Sequence, residues 1–405
     1  MVRNGNSLVD QQFDGSYSFP KRLHTRRNVG RCVGDEEIGF HLFSQSLGSR
    51  AMIRVAALTS GQSDPATRFR VRQHIAPLRE LGVEVREFVP RINKYTHIPG
   101  WPSGCSERYA APLFAVWQAI KLATRVPGIV GSWRSELTWL QRPLLEPYST
   151  LEWVLRRPLV FDVDDAIWLM RSWGQSQVAA VARRADVVLA GNQFLAEWFA
   201  QHARDVRVVP TAIDTERFVP KGDARPRNHV HFVVGWTGIG QNLPYLQDIE
   251  SPIARFMGIF DDARLLVVAD REPTFREIPP AKITFVRWSP EIEVVAIQEM
   301  DVGLMPLPDE DWSRGKCSFK MLQYMACGVP VVVSPVGMNK EVLGLGDVGI
   351  AASKESEWAE ALEYLRCLDD RGRSYGLRGR AVVEERFSRR VITVRLAEIL
   401  HELMT

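Results

Sequence analysis

The stretch Lys316-Cys317-Ser318-Phe319-Lys320-Met321-Leu322-Gln323-Tyr324-Met325-Ala326-Cys327-Gly328-Val329-Pro330-Val331-Val332-Val333-Ser334 decides the fold. It follows a strand-like run, Asp301-Val302-Gly303-Leu304-Met305-Pro306, and a polar loop. Residues 316–327 read as a helix stopped by Gly328 and Pro330, because neither residue continues a helix. The valines after it read as the next strand, so the unit is strand, helix, strand. Lys316, Lys320 and Gln323 are spaced i, i+4, i+7 and share one face of that helix. Phe319, Leu322 and Ala326 form another face that can pack on a sheet. Two lysines at the start of a helix that follows a strand make an anion site, since the dipole and the free N–H groups there attract phosphate. A solvated basic helix face is the competing reading of the same charges.

The same alternation extends in both directions. Upstream strand candidates are 53–58, 83–88, 138–141, 159–163, 186–190 and 206–209, with helical stretches such as 67–81, 111–124, 175–184 and 192–202 between them. A second series covers 230–235, 264–269, 283–286, 301–305 and 330–334. Short β-rich runs separated by helical segments mean parallel βαβ units. The polar segment 220–229 (Pro220 to Asn228 carries Lys, Gly, Asp and Arg) separates the two series as a linker. The expected organisation is an N-terminal Rossmann-like domain at 52–219, a C-terminal Rossmann-like domain at 230–375, and C-terminal helices at 376–405. Residues 1–51, rich in Gly, Ser, Asn and Arg, read as a flexible extension or a misassigned start. Ligands of such sheets sit beyond the carboxyl ends of the strands, so a cleft between the domains is the expected site.

Composition narrows the function. The 405 residues carry 51 Lys+Arg and 48 Asp+Glu, a formal charge of +3. That near balance argues against a nucleic-acid partner, which calls for a basic excess. A hydrophobic content of 45% excludes a mainly disordered chain. Five scattered cysteines form neither a metal-ligand spacing nor a disulfide framework and fit a reducing, cytoplasmic compartment.

Several motifs, in order, resemble the family 4 (group 1) glycosyltransferases of the GT-B fold, in which two doubly wound Rossmann-like domains face a cleft. Met325-Ala326-Cys327-Gly328-Val329-Pro330-Val331-Val332 and Gly337-Met338-Asn339-Lys340-Glu341 resemble the family's C-terminal signature. Val209-Pro210-Thr211-Ala212-Ile213-Asp214, with Phe218 and Pro220, resembles its interdomain segment, and Ala185-Asp186-Val187-Val188 the run before it. Arg68-Phe69-Arg70, the Phe161–Asp165 run and Gly235-Trp236-Thr237-Gly238 resemble one branch of that family. The resemblance covers most of residues 52–390. It implies transfer of a sugar from a nucleotide-diphosphate donor to an acceptor hydroxyl, with retention, without a metal and with no cofactor beyond the donor. A bacterial polysaccharide or glycoconjugate role follows from it, with a saccharide, lipid-linked or small-molecule acceptor. It also implies donor-binding positions at Gly235, Thr237, Gly238, Glu310, Gln323, Gly337 and Glu341.

Departures from the family pattern are as informative. Aligned on Met-Ala-Cys-Gly, the family's two glutamates fall on Gly315 and Gln323, and an inserted loop could have moved the first to Glu310. The cations that the family places after the first strand of this domain are missing from Gly235–Gly240. Lys316 and Lys320 are the substitutes expected to stabilise the departing diphosphate.

On the acceptor side, Asp162-Val163-Asp164 tempts a metal reading, but the matching family segment acts without one. Asp164 is a candidate to orient or deprotonate the acceptor hydroxyl. An Asp capping the following helix is the competing reading, favoured for Asp165. Ser60 and Gly61 would line the cleft floor. Arg68 and Arg70, with Arg72 nearby, would meet an anionic acceptor or the donor phosphate, against the alternative of a solvated basic face. Residues 111–126, with Trp117, Lys121 and Arg125, could touch a membrane as a peripheral contact. A core helix is the simpler reading. Two rivals remain: a GT-B protein that binds nucleotide sugars without transfer, and a nucleotide-sugar epimerase using Glu310 and Glu341.

Overall fold

The computed structural model describes residues 52–405 except Ser63, positions 94, 95, 97 and 99–110, Pro147 and 223–229. The extension at 1–51 and most of the linker therefore lie outside the described residues. Leu47–Thr405 forms one compact unit.

The first sheet contains β1 (Ile53–Leu58), β2 (Val83–Phe88), β3 (Leu137–Gln141), β4 (Leu159–Val163), β5 (Val187–Ala190) and β6 (Val206–Val208). The second contains β7 (Phe232–Gly238), β8 (Ala263–Ala269), β9 (Ile283–Arg287), β10 (Val302–Met305), β11 (Val331–Val333) and β12 (Gly349–Ala351). Their orders are β2-β1-β3-β4-β5-β6 and β12-β11-β10-β7-β8-β9, and every pairing is parallel. β3, β4, β5 and β10 are buried throughout, as expected of strands covered on both faces by crossover helices. β12 has three residues after a glycine-rich turn, too short to stand out as a run in the sequence.

Each order has one point where the connections reverse direction. In the first sheet it falls between β1 and β3, in the second between β7 and β10. Loops leaving those strands part there and open a crevice at the carboxyl ends. The segments after β1, β3, β7 and β10 are therefore the positions topology assigns to a ligand.

The chain end ties the halves together. Helix Arg373–Arg386 packs on helix Phe319–Ala326 of the second half, with Gly379 against Met325. Crossing back occurs at Phe387 and Ser388, where the Ile213 N–H donates to the Phe387 carbonyl and the Arg389 N–H to Ile213. Helix Arg389–Glu402 then lies on the first half. Its Thr393 hydroxyl meets His74 Nδ1 at 2.7 Å, and His401 Nε2 meets the Leu81 carbonyl at 2.9 Å. Burial and the nearby Arg70 and Arg389 hold His74 down to about 3, so it is neutral at physiological pH.

Candidate active site

The helix expected over 316–327 begins later, at Phe319. Ser318 sits in the left-handed region at φ 51°, which ends any helix on its N-terminal side. Its hydroxyl donates to Asn339 Oδ1 at 2.7 Å, and Asn339 Nδ2 donates to the Ser334 carbonyl at 3.0 Å. Lys316 is therefore a loop residue and does not share a helix face with Lys320. Phe319 also leaves its expected place on its own sheet: its ring meets Phe69 of the first half at a centroid distance of 4.1 Å.

The two lysines still converge on the interface between the halves, by different routes. Lys320 Nζ lies 4.4 Å from the Trp236 ring centroid, and a Cβ on Gly238 would be 2.9 Å from it. This ammonium thus sits at the carboxyl end of β7, on the reversal point of the second sheet. No hydrogen bond or ion pair engages it among the described residues. Burial, with repulsion from Lys316 second, lowers its pKa to about 7. Lys316 Nζ lies 5.2 Å from the Trp312 ring and faces the Asp165 carboxylate.

Loop 313–318 is pressed onto the first half. The Asn192 side chain caps helix Gln193–Ala200 through the Leu195 N–H and donates to the carbonyls of Arg314 and Lys316 at 3.1 and 3.0 Å. The Cys317 thiol donates to the Asp164 carbonyl at 3.1 Å. A Cβ on Gly315 would lie 2.6 Å from the Ala166 methyl, so no glutamate fits where the family alignment places its first one. Gly337, at φ 52°, has the Arg314 carbonyl 2.6 Å from its would-be Cβ, closing the loop from the other side.

Gln323, aligned with the second family glutamate, is buried and donates to Glu293 Oε1 at 2.9 Å. The other Glu293 oxygen accepts from Arg68 at 3.2 Å and from Arg217 at 3.1 Å. One carboxylate thus joins the helix after β9 to the first half, and Arg68 and Gln323, separate in sequence reasoning, share it. Gln323 is also the side chain this partner requires. A glutamate there would set two buried carboxylates against each other.

The acceptor-side charges are paired. Arg70 is buried and donates to Asp162 Oδ1 at 2.9 and 2.7 Å and to the Val209 carbonyl at 2.6 Å. Asp162 Oδ2 accepts from Trp139 at 3.1 Å. Arg72 pairs with Glu87 at 2.8 Å. None of the three arginines is the solvated face of the competing reading. Arg142, left-handed at φ 61°, gathers Asp164 at 2.8 Å, Glu146 at 2.9 Å and Asp165. Asp165 is not a helix cap, since no side chain caps the turn Ile167–Leu169. The Asp162 and Asp164 carboxylates answer different arginines instead of converging on one point. Among the described residues no cluster of three or more His, Cys, Asp or Glu side chains is arranged for a metal.

The remaining candidates divide. The Ser60 N–H and hydroxyl both donate to Gln141 Oε1, fixing the floor between β1 and β3, and Gly61 lies against Asn93. Thr237 is buried, and its N–H donates to Tyr324 Oη at 2.8 Å. Gly235 faces away from the interface, because its would-be Cβ meets the Met300 sulfur. Glu310 is exposed at the start of helix Asp311–Arg314, and Glu341 is raised by desolvation and by Glu197. Arg142, Asn192, Glu293 and Arg271, which donates to the Gly240 carbonyl at 2.7 Å, were not picked out from the sequence. Only Asn192, directly after a strand and Gly191, carried a local signal, that of a helix cap.

Two parallel sheets facing each other through their carboxyl ends, with a returning C-terminal helix, define a GT-B protein. The family model described as "Glycosyl transferases group 1" matches residues 241–367. No curated protein gives a significant sequence match. Sucrose-phosphate synthase from Thermosynechococcus elongatus is similar in structure at 17% identity and a TM-score of 0.62, covering 88% of this chain and 99% of that one. HepE of Anabaena in complex with UDP and glucose is similar at 16% identity and a TM-score of 0.60, covering 86% and 100%. WaaG, a glycosyltransferase involved in lipopolysaccharide biosynthesis, gives 12% identity and 0.55, covering 85% and 99%. The resemblance to group 1 GT-B glycosyltransferases therefore rests on sequence in the C-terminal half and on fold over most of the chain.

Proposed function

We propose that the protein transfers a sugar from a nucleotide-diphosphate donor to an acceptor hydroxyl, with retention of configuration and without a metal. The observation that carries this reading is the Lys320 ammonium, set at the reversal point of the second sheet with no ionic partner among the described residues. A bound diphosphate would supply the missing charge, and the low resting pKa rises as the anion arrives. As the glycosidic bond to the donor breaks, negative charge grows on the diphosphate, and Lys320 and Lys316 stabilise it. Asp164, held by Arg142, orients the acceptor from the opposite side. The solved relative in complex with UDP and glucose makes uridine the first base to try. A bacterial polysaccharide or glycoconjugate role in the cytoplasm, with no cofactor beyond the donor, fits this chemistry.

A second reading is a protein that binds the donor without transferring it. Gly315 and Gln323 favour it, because neither offers the carboxylate of the family pattern. One experiment separates the two. A panel of nucleotide sugars is scanned for thermal stabilisation with and without EDTA, and the stabilising donor is then incubated alone. Slow release of nucleoside diphosphate, unaffected by EDTA, supports the transferase. Stabilisation without release leaves the binding protein, and a strict EDTA requirement overturns metal independence.

A further inference from the structure

We propose that Trp173, backed by Tyr148, is the platform on which a sugar ring of the acceptor stacks, so that the acceptor is a saccharide. This deepens the transferase reading and rests on it, and it is tested by binding alone. The two rings lie 4.6 Å apart between centroids, at 33°. Trp173 is 38% exposed, and Tyr148 is half-buried. Neither ring joins the hydrophobic cores. Trp168, five residues earlier, shows the contrast: it is buried and stacks on Trp198 at 4.1 Å and 3°. Leaving an indole in water forgoes its burial, so a fixed, solvent-facing indole beside a candidate site marks a binding face.

The pair stands at the carboxyl edge of the first sheet. Tyr148 is in the loop after β3 and Trp173 in the segment after β4, and the two strands are neighbours. Two residues before Tyr148, Glu146 accepts from Arg142 at 2.9 Å, and Arg142 also holds Asp164 at 2.8 Å. The Asp164 carbonyl in turn accepts from the Cys317 thiol of loop 313–318. Two residues of chain reach at most about 7 Å, so the platform borders the cluster that holds Asp164. Both rings are set before a ligand arrives. The Tyr148 N–H donates to the Leu145 carbonyl at 2.6 Å, and the Ser149 N–H to Gln177 Oε1 at 3.2 Å. Glu152 accepts from the N–H groups of Leu144 and Thr150. Beside Trp173, the Gly174 N–H donates to the Arg171 carbonyl at 2.8 Å, and a Cβ on Gly174 would lie 2.6 Å from the Trp168 carbonyl. A surface held this way loses little conformational freedom on binding.

The surroundings select the ligand. Leu169 and Met170 are exposed in the turn before Trp173, but exposed Arg171 and Ser172 interrupt the apolar patch, and exposed Gln175 follows it. An acyl chain calls for a continuous apolar lining. A pyranose presents ring C–H groups on an apolar face and hydroxyls around its rim. That pattern suits an indole bordered by polar side chains.

The test is saturation-transfer NMR on the full chain, recorded without nucleotide and again with UDP. The probes are the methyl pyranosides of glucose, galactose, mannose and N-acetylglucosamine, the disaccharides maltose, cellobiose and lactose, and octyl β-glucoside. Saturation is expected on the C–H protons of one ring face of at least one probe, a pattern that a merely structural tryptophan would not produce. Trp173→Ala should weaken the affinity for that probe about tenfold, and Trp173→Phe should keep most of it. Circular dichroism checks folding, and Tyr148→Ala, expected to weaken binding several-fold, carries the test if Trp173→Ala does not fold. No saccharide binding, an affinity unchanged in the variants, or saturation confined to the octyl chain would overturn the proposal. Because no turnover is read, a failure of the transferase reading shows separately, as a lack of nucleoside diphosphate release from the donor.

Discussion

The two sides of the interface handle charge in opposite ways. On the first half, arginines and carboxylates answer each other: Arg70 with Asp162, Arg72 with Glu87, Arg142 with Asp164, Asp165 and Glu146. On the second half, Lys316 and Lys320 rest on the rings of Trp312 and Trp236, and Lys320 has no carboxylate partner among the described residues. A neutralised network is finished in the empty protein and serves to hold shape. An unmatched cation at a sheet's reversal point is finished only by an arriving anion. Under the proposed transfer, the first half would contribute geometry, and the second the field that a leaving diphosphate needs.

The strongest way to break this contrast is to unbalance the finished side. Arg70→Met strands the Asp162 carboxylate in a buried site, and urea denaturation is expected to show a loss of about 3–5 kcal/mol. Adding Asp162→Asn should recover part of it, because the stranded charge is then gone. A loss below about 1 kcal/mol would mean that this pair does not hold the domain.

On the other side, Lys320→Ala should leave the melting temperature little changed and lower nucleotide release from the donor by about 10²–10³-fold. Unchanged turnover would remove Lys320 from the chemistry and leave the field to Lys316 or Arg271. Between the two sides, Asn192→Ala removes a helix cap and both links to loop 313–318. A loss of about 2 kcal/mol in stability is expected, with weaker donor binding by calorimetry as the loop is released.

The smallest effect sharpens the comparison through pH. Burial and Lys316 lower Lys320 to about 7, and under the proposed function a bound diphosphate would keep it charged. Affinity for a nucleotide sugar should therefore be flat below that pH and fall by up to about tenfold per unit above it. Lys320→Arg, which stays charged, should flatten the profile even if affinity changes. A wild-type profile that is level from pH 6 to 9 would show that no buried amine meets the donor.

Much of the fold was legible because its signals are local. Apolar β-rich runs such as Ile53–Leu58 and Leu159–Val163 landed as strands, and Gly328 with Pro330 ended the helix where expected. The helix start was misplaced because a left-handed serine leaves no sequence mark; Asn339, 21 positions away, stabilises it. The site was less legible. Basic residues at 68, 70 and 72 look alike along the chain, yet their partners are Glu293, Asp162 and Glu87.

By itself, then, the sequence determined the order of the strands other than β12, their division into two parallel series and the end of the helix before β11, since hydrophobic period and glycine–proline stops act over a few residues. Which charges stay available was decided only by tertiary structure. Arg70 meets its carboxylate across 92 residues and Arg68 across 225, whereas Lys320 meets none among the described residues. Electrostatic pairing follows distance in space, and a linear spacing does not carry it.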